Sequence, residues 1–462
     1  MNRRTALLYL FCGFISLEPL WSDTPNLAAA PSSSPIPMSS SADTGSNSVT
    51  QEQMWNLHGQ NTDIYQYNPG FPAQYTGPYS LIGTPQVEET VSADIMLGLR
   101  LWQGAQFHVD GMMFQGFGLS NVHGVAAFPS GEAFKVGTWS PEFIMPRCFV
   151  SQVFGFGGPK EAIADDQTHL AGMEDISRLT VTVGKMSVYD IFDVNTYADS
   201  PRTQFMNWAF MANAAWDAPQ DADGFITGIA FDFNQRDWAL RYGFFQVPDV
   251  LNSLYEDTNF TQAWSQVIEA ERRFSINDHP GKVHFLAFLE RAHMGYYQDA
   301  IDNAPQNGGT PNIATSAYNL KYGLGINAEQ EIVKDVGIFS RLGWGNGQTE
   351  NWGYTDCDWT ATLGLSVTGS YWNRSNDTFG TAFAIDGLSP VHAAYFNAGG
   401  TGLVLGDGAL NYATEQVSET YYSFQVTKGV ALTLDYQFIN NPGYNCVRGP
   451  VNVLGARAHF EF

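Results

Sequence analysis

The segment VNVLGARAHFEF, residues 451–462, decides how the rest of the chain is read. From Leu454 every second side chain is apolar: Leu454, Ala456, Ala458, Phe460 and Phe462. Gly455, Arg457, His459 and Glu461 alternate with them. A β-strand sends alternate side chains to opposite faces. This strand therefore has one apolar face and one face with three ionisable groups. It stops on Phe462 without a polar tail, which a strand of a soluble sandwich would rarely do. Each face must be matched to a solvent.

The same alternation recurs along the chain. In WTATLGLSVTG, Trp359, Ala361, Leu363, Leu365 and Val367 share one face, and Thr360, Thr362, Gly364, Ser366 and Thr368 the other. VALTLDYQF sets Val430, Leu432, Leu434, Tyr436 and Phe438 against Ala431, Thr433, Asp435 and Gln437. VSADIMLGLRLW sets Ile95, Leu97, Leu99 and Leu101 against Asp94, Gly98 and Arg100. About sixteen such segments follow one another, each of roughly 9–12 residues, the length that crosses a bilayer when tilted. One is expected over residues 143–156. The connections between them alternate short and long. Gln103-Gly104, Ile332–Lys334 and Lys428-Gly429 are short, whereas 117–142, 188–224, 292–320 and 387–415 are long. The connection 157–176 breaks the rule, being long on the short side.

A soluble sandwich has no reason to place its long connections at every second turn. An outer-membrane barrel does, with short periplasmic turns and long outer loops. The expected fold is all-β: a transmembrane antiparallel up-and-down β-barrel of about sixteen strands, with both termini periplasmic. On this reading the apolar face of 451–462 meets lipid, and Arg457, His459 and Glu461 face a wet lumen. Tyr436, Phe438, Trp359, Trp238 and Phe462 lie near strand ends, where aromatic girdles belong.

Composition agrees. Charged residues make up only 15% of the 462-residue chain and aromatics 14%, with 46 glycines. The net charge of −24 argues against nucleic-acid binding, which needs a basic face. Arg3 and Arg4 precede the apolar stretch Ala6 to Ile15, and Ala28-Ala29-Ala30 offers a cleavage site. Residues 1–30 are thus expected to be a signal peptide. Residues 31–52 are Ser/Pro-rich and are expected to be a disordered linker, leaving 53–462 as the barrel. Cys148, Cys357 and Cys446 remain after cleavage. Free or buried thiols are the expected state; Cys357 and Cys446, both in outer loops and in an oxidising setting, are the pair most able to bridge if any does.

The run from Gly184 through Asp193 and Tyr197 to Pro201-Arg202-Thr203-Gln204-Phe205-Met206-Asn207-Trp208 resembles the carbohydrate-selective porins of the OprB type. WALRYGFFQVP, HPGKVHFLAF, GLSPVHAAYFNAGG and the words Asn441-Pro442-Gly443-Tyr444-Asn445 and Arg448-Gly449-Pro450-Val451 resemble the same family, over roughly residues 54–462. Cys446 departs from the polar residue of many relatives. The resemblance implies a sixteen-stranded outer-membrane barrel that passes sugars by diffusion. Some relatives are described as manganese-responsive porins, so a divalent-cation pore is the alternative. The aromatic final strand resembles the signal read by the barrel-assembly machinery, which would make Phe462 a point of recognition.

The loop 188–224 is the longest outer connection and is expected to fold inward and narrow the pore. Asp190, Asp193, Asn195, Tyr197, Asp199, Arg202, Gln204, Asn207 and Trp208 are its candidate solute contacts. A sugar needs hydrogen-bond partners for its hydroxyls and flat apolar surfaces for its C–H faces. Tyr189, Tyr197 and Trp208 offer surfaces, and Arg202 a fixed fork of donors. The bland alternative is an Asp199–Arg202 pair that only holds the loop's shape. Strand parity places Arg100, Arg241, Glu269, Glu271, Arg273, Glu290, Arg341 and Arg457 on the lumen wall, where cross-strand ion pairing is the competing role. Asp217, Asp221 and Asp223 cluster before Gly224 but lack the ligand spacing of a calcium loop. No cofactor is expected. His108 and Asp110 share a face and His169, His392 and His459 are scattered. No hydrolase elbow, zinc-protease or P-loop motif is present, so a barrel enzyme is disfavoured. An adhesin or receptor using the outer loops is the remaining class.

Overall fold

The computed structural model describes residues 52–313 and 317–462. The expected signal peptide, and the linker up to residue 51, lie outside them. The first strands are β1 (Trp55–Asn68), β2 (Gln86–Trp102), β3 (Ala105–Gly116), β4 (Thr138–Ile144) and β5 (Cys148–Gly155). A small hairpin, β6 (Lys160–Ile163) and β7 (Gly172–Asp175), precedes β8 (Arg178–Met186). Then come β9 (Ile226–Asn234), β10 (Trp238–Phe245), β11 (Trp264–Ile276), β12 (His279–Ala292), β13 (Asn319–Val333) and β14 (Val336–Gly345). The last are β15 (Trp359–Thr368), β16 (Thr378–Gly387), β17 (Glu415–Thr427), β18 (Val430–Asn440) and β19 (Val451–Glu461).

Apart from the β6–β7 hairpin, these form one antiparallel sheet of seventeen strands that closes on itself. β4 and β5 both pair with β3, so the wall has sixteen staves. Closure is the β1–β19 pairing, from Gln60 opposite Glu461 to Tyr67 opposite Leu454. Gly59 and Phe462 extend it by exchanging backbone hydrogen bonds of 3.2 and 3.0 Å. The Phe462 ring lies over Gly59, where a Cβ would fall 2.3 Å from a ring carbon. Closure leaves no unpaired strand edge in hydrocarbon, the condition for an all-β membrane span. No helix among the described residues is long and apolar enough to cross a membrane.

The two faces part as the alternation requires. On β18, Leu432, Leu434 and Tyr436 point outward and are exposed, Leu434 by 72%, while Thr433, Asp435 and Gln437 are buried. Leu363 on β15 and Leu454 and Phe460 on β19 are exposed in the same way. Apolar outside and polar inside is the arrangement for a hydrocarbon surround.

Three features differ from the expectation. The stave expected over 143–156 is broken at Met145–Arg147, because Pro146 has no N–H to give to the ladder. The connection 157–176 is a structured hairpin rather than an overgrown turn, with Lys160 opposite Asp175 and Ile163 opposite Gly172. The inner face of β19 is packed rather than wet: Arg457 is 2% exposed. Its guanidinium donates to the carbonyls of Pro201 and Gln204 at 2.7 and 2.8 Å.

Much of the interior is an apolar core made by the long loops themselves. Val125 and Phe128 from one loop meet Phe205 and Phe210 from a second and Phe396 and Val404 from a third. A loop has no second strand face on which to segregate apolar side chains, so it buries them against other loops inside the barrel. Cys357 and Cys446 do not bridge; both are free thiols, Cys357 buried and Cys446 exposed. Burial pushes the Cys357 thiol up, and its Sγ lies 3.2 Å from the Trp359 carbonyl.

Candidate functional site: the 188–224 loop against the barrel wall

Residues 188–224 leave β8 and return to β9 after touching strands all round the barrel. Arg341 of β14, fully buried, is the main anchor. Its Nε lies 2.9 Å from the Asp193 carboxylate. Its terminal nitrogens donate to the carbonyls of Phe210, Asp193 and Ala198 at 2.6, 3.0 and 2.8 Å. Asp193 has positive φ, and its amide donates to Glu269 of β11 at 2.7 Å. Asn195 donates to Asn327 of β13 at 2.7 Å, and Thr196 donates its amide to Glu329 at 2.6 Å. On the opposite wall, Glu419 of β17 accepts from the amides of Met206 and Asn207 at 2.6 and 2.9 Å. Tyr197 lies flat on β14 where Gly337 leaves room; a Cβ there would sit 1.9 Å from the ring.

Several candidate contacts are thereby fixed within the protein. Asn207 is buried; its side chain caps the short helix α1 (Trp208–Met211) by accepting from Ala209 at 2.9 Å. It also donates to Gln437 of β18 at 2.9 Å. Trp208 is buried, stacked on Tyr354 with centroids 5.6 Å apart. Asp193 and Asn195 are buried as well. Asp190, Tyr197, Asp199, Arg202 and Gln204 keep accessible surface.

Of these accessible groups, Asp190 and Arg202 belong to two arginine clusters. Arg147, in the gap between β4 and β5, takes Asp190 in a fork, Nε to Oδ2 at 2.7 Å and Nη2 to Oδ1 at 2.8 Å. It also reaches Asp110 of β3 at 3.3 Å. The broken stave thus frees Arg147 to point inward. Arg202 pairs not with Asp199 but with Glu132 at 2.9 Å, and with Asp94 of β2. The two arginines are shared by four carboxylates, so the cluster is only mildly negative. Burial pushes the Asp199 carboxyl up to about 7, against the opposing pull of Arg341.

The wall residues form a ladder. Arg241 of β10 meets Asp232 of β9 and Glu269 and Glu271 of β11 at 3.0, 2.7 and 2.8 Å. Arg273 also holds Glu271, and His284 lies 3.0 Å from Glu269. Glu290 is buried beside Ser265, Lys321 and Asp217. Arg100 donates to the carbonyls of Gln53 and Ala171 at the short-turn rim. The three aspartates near Gly224 do not converge. Asp217 accepts from the amides of Trp352 and Gly353 at 2.7 Å each. Asp221 takes Lys185 at 2.8 Å, and among the described residues no three metal-ligating side chains cluster.

Sequence reasoning missed Arg147 and Glu132. Pro146, inside an otherwise apolar strand pattern, was the available signal for the first. Glu132 sits in a loop with no periodicity to orient it.

The family model described as "Carbohydrate-selective porin, OprB family" matches residues 80–462. The chain belongs to this family. Among solved structures, the high-pH structure of Pseudomonas putida OprB is 15% identical with a TM-score of 0.66, covering 88% of this chain and 94% of that one. The low-pH structure of the same porin is 12% identical, TM-score 0.45, covering 88% and 93%. The outer membrane channel DcaP of Acinetobacter baumannii is 8% identical, TM-score 0.47, covering 91% and 100%. The first of these supports the barrel fold. Comparison with curated proteins finds no match. The protein is therefore an outer-membrane channel, a porin of the carbohydrate-selective family.

Proposed function

We propose that the porin's narrowest passage lies between the 188–224 loop and the lumen faces of β2 and β3. Neutral sugars pass it in contact with Asp190, Arg147, Arg202, Asp199 and Gln204. The observation that carries this is the pair of clusters Arg147–Asp110–Asp190 and Arg202–Asp94–Glu132. The fixed arginine forks offer a hydroxyl donors and the accessible Asp190 carboxylate an acceptor, while the buried Asp94, Asp110 and Glu132 hold the arginines in place. Tyr197, flat on β14 across the lumen from β2 and β3, helps to hold the far side of the loop. Asp193, Asn195, Asn207 and Trp208 serve to hold the loop in place. Each arginine faces two carboxylates, which leaves each cluster a formal charge of −1; it is membership of the carbohydrate-selective family that favours sugars over the cation reading.

In this reading the short turns and both termini face the periplasm, and the long loops face outside, as in other outer-membrane barrels. The band of outward Leu, Ile and Phe side chains contacts lipid. Phe462, exposed beside Gly59, is the aromatic available to the assembly machinery.

Liposome swelling with neutral mono- to trisaccharides tests the proposal, alongside reversal potentials in planar bilayers. Swelling that falls with sugar size, and is slowed by Arg202→Ala, is the expected result. Proteoliposomes that swell no faster than protein-free ones in any neutral sugar, while a steep cation preference is measured, would overturn it.

A further inference from the structure

The connection 157–176 is longer than the barrel needs. β5 and β8 pair down to Gly155 opposite Arg178, a span that four other strand pairs at this end close with two residues, as Gln103-Gly104 does between β2 and β3. Ordering the additional residues costs conformational entropy, and long structured loops in compact domains usually have a use. This one is firmly held. Arg178 Nη1 meets Glu161 at 2.5 Å and its Nε meets Glu174 at 3.2 Å. The Gly157 amide donates to Asp175 at 2.7 Å.

Between β6 and β7 the chain turns into the barrel mouth and lies along the lumen faces of β1 and β3. Asn56 donates to the Asp165 carboxylate at 2.7 Å and to the Asp166 carbonyl at 2.9 Å. His58 Nε2 lies 3.1 Å from Asp165. Gln167 donates to Gln60 at 3.1 Å. The Leu170 amide donates to Gln106 of β3 at 2.9 Å, and the Leu170 side chain is 1% exposed. Asn56, His58 and Gln60 all alternate with outward residues such as the exposed Leu57, so the contacts are on the inside. The segment is polar, and the side chains of Asp165 and His169 remain substantially open to water.

It also reaches the Arg202 cluster. Gln60 donates to Asp94 at 2.6 Å, and Asp94 is the carboxylate that holds Arg202. Gln167, Gln60, Asp94 and Arg202 therefore form one continuous chain of contacts from the short-turn mouth to the 188–224 loop.

We propose that residues 164–171 are a second selectivity segment, entering from the short-turn end and lying in series with the 188–224 loop. Asp165, Gln167 and His169 line the exit path of the solute, and Gln167 acts through Gln60 and Asp94 as a positioning residue for Arg202. The proposal rests on the reading of the lumen as the solute path. It supplies a reason for the one connection that breaks the short-turn rule: a filter built from a single loop constrains a solute at one depth, and a second polar segment extends the contact along the axis.

The test is cysteine modification. Gln167→Cys is placed in a Cys148→Ser, Cys446→Ser background, which leaves the buried Cys357 as the one other thiol among the described residues, and single channels are recorded before and after a charged methanethiosulfonate reagent. The expected result is a stepwise loss of conductance in Gln167→Cys channels and none in the background. Replacing Lys160–Asp175 by a two-residue Asn-Gly turn should raise conductance and narrow the difference in swelling rate between mono- and trisaccharides. An introduced thiol that stays unmodified by mass spectrometry, or is modified without a conductance step, overturns the proposal. If modification of the Gln167→Cys thiol blocks the channel while Arg202→Ala leaves sugar flux unchanged, residues 164–171 stand as a lining of the exit path, while the positioning role of Gln167 and the constriction assigned to the 188–224 loop fall.

Discussion

Arg341→Ala should unlock the 188–224 loop while leaving the barrel closed. In the native protein the guanidinium faces the Asp193 carboxylate and the carbonyls of Asp193, Ala198 and Phe210, all of them belonging to the loop. Truncation strands the Asp193 charge in a buried site, and breaking a buried pair in this way costs about 3–5 kcal/mol. The loss falls on the loop's attachment, since the β13–β14 and β14–β15 ladders are backbone bonds that the substitution does not touch. At ~1.4 kcal/mol per factor of ten, the open population of the loop rises by two orders of magnitude or more. Cleavage by trypsin after Arg202 reads that population when opening is fast relative to cleavage. The expected outcome is a roughly hundredfold faster cut at Arg202, a larger single-channel conductance, and unchanged heat-modifiable mobility of the barrel on gels. Arg341→Lys keeps a charge but not the fork, and should fall between. The double variant Arg341→Met, Asp193→Asn removes the stranded charge and should recover part of the protection. If Arg341→Ala is cut after Arg202 no faster than the native porin and conducts identically, the loop is not held by this anchor and the reasoning fails.

Leu434→Arg places a charge in the middle of the outward face of β18, where Leu434 is 72% exposed; it should cost about 2–4 kcal/mol in the free energy of folding into lipid, whereas a loss near zero would put Leu434 outside the hydrocarbon. Asp199, whose carboxyl burial raises to about 7, is neutral at lower pH and gains its charge as pH rises through that value. Cation preference from reversal potentials should therefore increase between about pH 6 and 8, and Asp199→Asn should flatten the curve; an unaltered curve would refute the assignment. Cys446 should react with maleimide in the folded porin and Cys357 only after unfolding, whereas an intact mass two hydrogens short would reveal a bridge.

The barrel is legible in the residue pattern alone. Alternation in segments such as 359–369 and 430–438 depends only on the two-residue period of a strand and on which solvent meets each face, and both are local properties. The order of long and short connections then implied an up-and-down closure, and strands such as β3 and β15 begin and end within a residue or two of where the pattern places them. Parity likewise put Arg241, Glu269, Arg341 and Arg457 on the inner face. Which partners those residues touch becomes visible only in the folded barrel. Arg202 turned to Asp94 and Glu132 rather than to Asp199, because closeness in sequence means little once a loop crosses the lumen to another wall. Trp208 and Asn207 read as solute contacts by residue type but are buried, because the loop builds its own core with Phe128 and Tyr354. Arg147 gained its inward position from Pro146, and the 157–176 hairpin gained its place from β1 and β3. A periodic strand carries its orientation in its own repeat. A loop has no repeat, so the direction of each side chain is set by distant partners that its local sequence does not name.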